Sequence, residues 1–152
     1  MLRDKLNEAL KEAMRARDMA TVGAVRLIIA KLKEVDIAAR TEANREGVGD
    51  DRILAMLQSM IKQRHESVVL YEKGGRPELA DKEKAEIAVI ERFLPRQMDE
   101  AAVAAAVAEA VASTGAKTVK DMGGVMAALK ARYTGQMDFA KASAAVKKAL
   151  AG

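Results

Sequence analysis

The sequence has 152 residues, of which 50% are hydrophobic and 32% are charged. This composition supplies enough apolar material for a packed core and argues against disorder. Cysteine is absent and no run reaches the roughly 18 consecutive apolar residues that cross a bilayer, so disulfides, thiolate chemistry and a transmembrane helix are excluded and a cytoplasmic protein is expected. The net charge of +4 favours polyanions only weakly.

The first two predicted helices differ in how apolar they are. The first begins near Leu2 and is amphipathic, with apolar residues recurring at helical spacing. The second has Asp18 as its N-cap and is apolar on most sides over residues 22–32, so we expect it to be the most buried helix. Arg26 lies in the middle of this run, and it must either turn outward or pair with a carboxylate.

The next two predicted helices follow a loop over residues 41–49, where the helical period is lost. Asp50 and Asp51 are expected to supply the cap and the first-turn charge of a long third helix, which two glycines end after Lys73. A fourth helix has Pro77 in its first turn and ends before a second proline.

The chain changes in character after Pro95. Asp99 can cap an alanine-rich fifth helix, Thr118 a sixth and Asp138 a seventh. No segment shows the alternation typical of strands. The sequence therefore predicts an all-α fold, with a four-helix N-terminal subdomain in residues 1–96 and a small three-helix C-terminal subdomain in residues 97–152.

Three segments, in the same order along the chain, make the sequence similar to the GatB/YqeY family. They are Ala-Val-Arg-Leu-Ile at 24–28, Ile-Glu-Arg-Phe-Leu-Pro-Arg-Gln-Met at 90–98, and Lys-Asp-Met-Gly-Gly-Val-Met-Ala-Ala-Leu at 120–129. One position departs from the family pattern, since Gly124 stands where relatives usually carry a lysine.

The resemblance implies a role in handling transfer RNA. Members of the family occur as free-standing proteins, as the tail of the B subunit of the tRNA-dependent amidotransferase, and fused to some glutaminyl-tRNA synthetases. In the larger proteins the tail is understood to touch tRNA, while phosphorylation and amide transfer take place in other domains. The resemblance therefore implies a non-catalytic tRNA-binding accessory protein, with a partner in tRNA aminoacylation or amidation as a further possibility.

The residue inventory predicts no catalytic centre, metal site or cofactor. The single histidine, His65, lies in a polar stretch of the third helix and has no evident catalytic partner. A zinc site without cysteine and with one histidine would need mostly carboxylates. The acidic pairs on the helices are typical of solvated faces, and no glycine-rich phosphate loop follows a strand.

Adjacent glycines at positions 123 and 124 interrupt the sixth helical pattern, at a cost of roughly 1 kcal/mol each relative to alanine. The favoured structural interpretation is a close approach to the fifth helix, where a Cβ atom would collide. Two others stay open. The missing side chains could let an RNA backbone approach, or the glycines could permit a kink.

The candidate RNA-binding surface lies in the sixth helix. It comprises Lys117, Lys120, Gly123, Gly124, Lys130 and Arg132, and a secondary basic patch on the third helix comprises Lys62, Arg64 and Lys73. Dispersed lysines suit phosphate contacts, and the low aromatic content argues against base stacking. These cations could equally be ordinary solvated side chains.

Three functional hypotheses follow. An RNA-binding accessory module predicts salt-sensitive binding to tRNA. A protein-docking adaptor would instead bind through apolar surface on the long helices. A small amidase, or a part of a carbon–nitrogen ligase that uses glutamine as amido donor, would need activity in the isolated chain. The residue inventory counts against this third hypothesis.

Overall fold

The computed structural model describes residues 1–151, and within that range the secondary structure is entirely helical. The helices are α1 (Leu2–Arg15), α2 (Met19–Ala38), α3 (Asp50–Lys73), α4 (Pro77–Glu91), α5 (Glu100–Thr114), a 3₁₀ helix (Val119–Asp121), α6 (Met122–Tyr133) and α7 (Phe139–Ala151). The predicted all-α class is confirmed. None of these helices combines the length and apolarity needed to cross a membrane.

Aspartate side chains cap the helices at three of the predicted starts, and the third of them, Asp138, accepts a hydrogen bond from the Ala140 amide at 2.9 Å at the start of α7. Asp18 accepts a hydrogen bond from the Thr21 amide at 3.2 Å, and Asp99 accepts one from the Ala102 amide at 2.7 Å. The predicted cap of α3 is wrong. Gly49 occupies the N-cap position without a side-chain bond, and Asp50 lies in the first turn, where its negative charge favours the helix dipole.

The chain divides into two compact units, residues 1–94 and residues 95–152. In the first unit α3 packs along α4, and α2 contacts both α1 and α4. The largest fully buried side chains of this unit come from all four helices: Leu6, Val22, Val25, Ile28, Ile53, Leu57 and Ile90.

Helix α2 contributes six buried residues to the first unit, but its burial is confined to one face. Arg26 is exposed and makes no ion pair among the described residues, so it turns outward. Large apolar side chains on the outward face are exposed as well. The first unit therefore buries only part of the apolar residues of α2.

The loop after α2 is tied back to α1 and α2. Asp36 accepts hydrogen bonds from Arg3 at 2.7 Å and from the Val48 amide at 2.9 Å, while Arg3 also donates to the Val48 carbonyl. Gly47 passes this ion pair with a φ of +99°, and a Cβ atom there would lie 2.6 Å from Nη2 of Arg3. Only glycine fits this position without displacing the ion pair.

The second unit is a bundle in which α5, α6 and α7 contact one another. Val125, Leu129, Ala142 and Val146 lie at its centre. Gly115 ends α5 in the left-handed conformation, with φ +70°. The short connections on both sides of α6 make successive helices antiparallel neighbours.

Candidate nucleic-acid interface

The carboxylates and the lysines of the second unit have different surroundings. Residues 97–152 contain seven Lys or Arg and five Asp or Glu. Three of the five, Asp99, Asp121 and Asp138, accept backbone amides at helix starts, Glu109 pairs with an arginine, and Glu100 lies in the first turn of α5. The lysines are exposed and make no ion pair within the described part of the chain: Lys117, Lys120, Lys130, Lys141, Lys147 and Lys148.

Asp121 fixes the backbone that carries the first two of these lysines. Its Oδ2 accepts hydrogen bonds from the amides of Lys117 at 2.9 Å and Thr118 at 3.0 Å. These backbone bonds hold the pKa of the Asp121 carboxyl below its ordinary value. Thr118 caps the 3₁₀ helix in return, so the cap predicted for the sixth helix belongs to this turn, and α6 begins only at Met122.

Because α6 begins only at Met122, its two glycines do not lie in the interior of the helix, as the sequence pattern predicted. Gly123 and Gly124 lie in the first turn of α6, and both are exposed. A Cβ atom built on either residue would meet no heavy atom within 4 Å. The predicted close approach to α5 is therefore wrong. The glycines leave the backbone of the first turn uncovered instead.

The four cations predicted from the sixth helix do not form one cluster. Lys117 and Lys120 precede α6, whereas Lys130 and Arg132 lie in its last turn. At a rise of about 1.5 Å per residue the two pairs are separated by about 15 Å. They can therefore contact two separate phosphates of a polyanion, but not one phosphate together.

Lys130 and Arg132 also differ in their surroundings. Arg132 lies 2.8 Å from Glu109 of α5 and 5.5 Å from the ring centre of Tyr133, and the hydrogen bond to Glu109 raises the pKa of its guanidinium. Its charge is thus partly compensated, even though both side chains are exposed. Lys130 has no such partner and follows Gly123 by seven residues, which places it on the same outward face of α6.

Two lysines that were not predicted as site residues, Lys147 and Lys148, lie on α7, which contacts the 3₁₀ helix. The five-residue connection between α6 and α7 favours an antiparallel pair. Since α7 also contacts the 3₁₀ helix, we infer that its C-terminal half lies in the half of the bundle where α6 begins. This half of α7 carries Lys147 and Lys148, both exposed. We refer to Lys117, Lys120, Lys147 and Lys148 as the basic end. The sequence shows that the seventh helix carries two adjacent lysines, but only the packing of α7 against the other helices decides which end of the unit they occupy.

The predicted secondary patch on α3 is smaller than expected. Lys62 and Lys73 are exposed, but Arg64 is largely buried and lies 3.1 Å from Glu86 and 4.0 Å from Glu83, both on α4. Its guanidinium therefore links α3 to α4 and is not part of an exposed surface. The two remaining lysines are eleven residues apart, and they are separated by about 16 Å.

Side chains that could bind a metal are not grouped in the described part of the chain. His65 is exposed on α3. Among residues 1–151 no group of three or more His, Asp or Glu side chains could hold a metal ion.

The fold and the basic end together define an all-helical protein with an exposed lysine-rich surface in its C-terminal unit. A family model described as Yqey-like protein matches residues 3–150. The chain belongs to this YqeY-like family, and its resemblance to GatB/YqeY proteins is thereby confirmed. No curated protein matches the chain significantly.

Proposed function

We propose that the protein is a cytoplasmic, non-catalytic accessory protein that binds tRNA through the basic end of its C-terminal unit. The observation that carries this proposal is the set of exposed, unpaired lysines around the uncovered first turn of α6. The family's likeness to the tail of the tRNA-dependent amidotransferase B subunit supports the choice of tRNA among polyanions.

The character of the surface favours recognition of shape and charge. Lysine ammonium groups contact phosphates as point charges, and exposed backbone without side chains permits a close approach. The chain has no Trp, two Tyr and two Phe, which gives little material for stacking bases. Folded RNA presents regularly placed phosphates that such a surface can contact without reading the sequence.

The proposal assigns no reaction to the chain. Carbon–nitrogen ligase activity with glutamine as amido donor belongs to the larger amidotransferase, and the family relation links this protein to that chemistry as an accessory. A protein partner in tRNA aminoacylation or amidation is compatible with this role, because binding tRNA through one unit leaves the other unit available.

A titration of tRNA against charge-reversal variants tests the proposal. We would measure binding of purified protein to total tRNA at about 50 mM and about 200 mM salt, where phosphate contacts make affinity fall steeply. The variants are Lys117→Glu with Lys120→Glu, and Lys147→Glu with Lys148→Glu. The matched control is Lys62→Glu with Lys73→Glu, which changes the net charge equally from exposed positions of α3.

Each basic-end variant should weaken binding at least about tenfold and should flatten the salt dependence. The control should stay within about twofold of the unmodified protein, since its lysines lie outside the proposed surface. Circular dichroism would verify that all the variants are folded. An equal loss of affinity in the control would show that binding depends on net charge alone and not on the basic end. Absence of binding at low salt would overturn the proposal.

A further inference from the structure

Three cations along α2 recur at intervals of seven residues. Arg26, Lys33 and Arg40 therefore lie on one face of the helix, with about 10 Å between successive positions. Arg40 lies two residues beyond the last residue of α2, but its amide still donates to the Ile37 carbonyl and completes the turn. All three side chains are exposed and make no ion pair among residues 1–151. We refer to these three residues as the α2 cation row.

The carboxylates of α2 are engaged by cations outside this row. Asp36 is bound to Arg3 of α1, and Glu34 lies 2.9 Å from Lys31. The loop that follows the row carries two glutamates and one arginine. The positive charge of the row is therefore least compensated at its first two members.

The turn directly before α2 carries a further cation, in a backbone conformation that favours glycine. Arg17 has a φ of +57° and is the only non-glycine residue with a positive φ among residues 1–151. Its amide donates to the Met14 carbonyl, and the Asp18 amide donates to the Ala13 carbonyl, which are the hydrogen bonds of a Schellman turn. Glycine is the usual residue at this position of the turn, so the arginine costs stability. Its side chain is exposed and has no ion pair in the described chain.

The exposed apolar side chains of α2 do not form a continuous surface beside the row. Helical periodicity places Arg26 directly beside Met19 and Ile37, and it places Glu34 between these side chains and Leu27. The centre of a protein–protein interface is depleted of charged residues, so this surface lacks such a centre. Separate cations instead suit phosphates, which recur along a nucleic-acid strand and which Arg and Lys contact individually.

We propose that the α2 cation row, together with Arg17, is a second surface for RNA phosphates. The inference rests on the proposed binding of tRNA, and it adds contacts from the first unit to those of the basic end. Each member of the row contacts a separate phosphate, because its neighbours are about 10 Å away. Such contacts position the RNA without reading its bases. The outer faces of α3 and α4 stay available to a protein partner.

Neutral substitutions in the row test the inference through the salt dependence of tRNA binding. In the full chain, Arg26→Gln with Lys33→Gln should weaken binding to total tRNA about three- to tenfold at about 50 mM salt. The slope of log affinity against log salt concentration should become shallower by about one to two, since each lost phosphate contact removes about one released ion. Lys62→Gln with Lys73→Gln, the same charge change at exposed positions of α3, should leave both quantities nearly unchanged. Circular dichroism would verify that the variants are folded.

Arg17→Gly should change stability and tRNA binding in opposite directions. The melting temperature should rise by about 2 °C, because glycine adopts this φ without strain. The affinity for tRNA should fall about two- to fivefold, because one phosphate contact is lost. Arg17→Lys retains the charge in the same backbone conformation and should bind tRNA within about twofold of the unmodified protein. A purely structural role of this arginine would not combine a gain in stability with a loss of affinity.

Two results would overturn the inference. They are an unchanged affinity and salt slope in the row variant, and an equal loss of affinity in the α3 control. Polyglutamate tests an acidic protein as the alternative occupant. If the row variant lost binding to polyglutamate but not to tRNA, the inference would be wrong.

The charge-reversal variants of the basic end distinguish a failure of this inference from a failure of the proposed function. Loss of tRNA binding in those variants, with unaltered binding by the row variant, would remove only the second surface. An unmodified chain that binds no tRNA at low salt would remove both surfaces.

Discussion

Nη1 of Arg3 lies 2.7 Å from Oδ2 of Asp36, a residue 33 positions later in the chain, and both side chains are partly buried. The same carboxylate accepts the Val48 amide. One acidic side chain thus joins α1, α2 and the end of the loop before α3. The position of this loop depends on an ion pair in addition to apolar packing.

Replacing Asp36→Asn should destabilise the first unit by about 1–2 kcal/mol, since Arg3 and the Val48 amide lose a charged acceptor in a partly buried site. Urea unfolding at neutral pH would measure the loss. Glu8→Gln is the control, because Glu8 forms an ion pair with Lys11 in which both side chains are exposed. If the two substitutions had equal effects, the contribution assigned to Asp36 would be wrong.

The contribution of Asp36 should also depend on pH. The side-chain bond from Arg3, followed by the Val48 amide, lowers the pKa of the Asp36 carboxyl despite its burial. The stability it confers is therefore fully present above the unfolded pKa of about 3.9 and is lost as pH falls through the lower folded pKa. The difference in unfolding free energy between the unmodified chain and Asp36→Asn should close below about pH 4. A difference that is constant down to pH 2 would contradict this assignment.

Gly47→Ala and Gly123→Ala should change stability in opposite directions. At Gly47 the positive φ and the 2.6 Å approach to Arg3 should make alanine destabilising by about 1–3 kcal/mol. At Gly123, in a helical turn with open space around it, alanine should stabilise by up to about 1 kcal/mol. Thermal unfolding would compare the stabilities of the two variants directly. If Gly123→Ala were destabilised, the predicted close approach of this glycine to α5 would be supported after all.

Gly124→Lys should strengthen tRNA binding roughly three- to tenfold if the basic end is the tRNA-binding surface, because it adds a cation beside Lys120. A lysine fits here without a clash at its Cβ atom, since nothing lies within 4 Å of that position. Gly124→Ala is the control for helix propensity and should leave the affinity unchanged. An unchanged affinity in the lysine variant would count against placing tRNA at this turn.

Arg64→Ala should lower stability and leave tRNA binding unchanged. The substitution leaves Glu86, only 17% exposed, without its cation, at a cost of about 2 kcal/mol. Lys62→Ala, which removes an exposed and unpaired side chain two residues earlier, should be neutral for stability. The measurements are a melting curve and a tRNA titration well below the melting temperature. Weaker tRNA binding by a folded Arg64→Ala protein would show that this arginine belongs to the tRNA-binding surface after all.

Local chemistry made much of the helical architecture predictable. Asp18 and Asp99 cap helices where the sequence placed them, because a cap depends on a few neighbouring residues. The loop over residues 41–49 was predictable for the same reason. The start of α6 was not, since Thr118 and Asp121 form a reciprocal cap around a 3₁₀ turn that the apolar period alone does not reveal.

The candidate site was less predictable because it depends on contacts between helices. Nothing near Arg64 in the sequence indicates that its partners lie on α4, 19 and 22 residues away. The grouping of Lys120 with Lys147 likewise requires the antiparallel packing of α6 and α7. Charge counts identify the candidate cations, but tertiary packing decides which of them are available.

The net charge of the C-terminal unit can change at its capping aspartates without a change in the fold. Asparagine is about as good as aspartate at an N-cap, so Asp99 and Asp138 could each change to asparagine with little loss of helix stability. Every such change would add one unit of positive charge and leave the apolar core untouched. Related chains could therefore tune their attraction to polyanions through two conservative substitutions, without any repacking of the bundle.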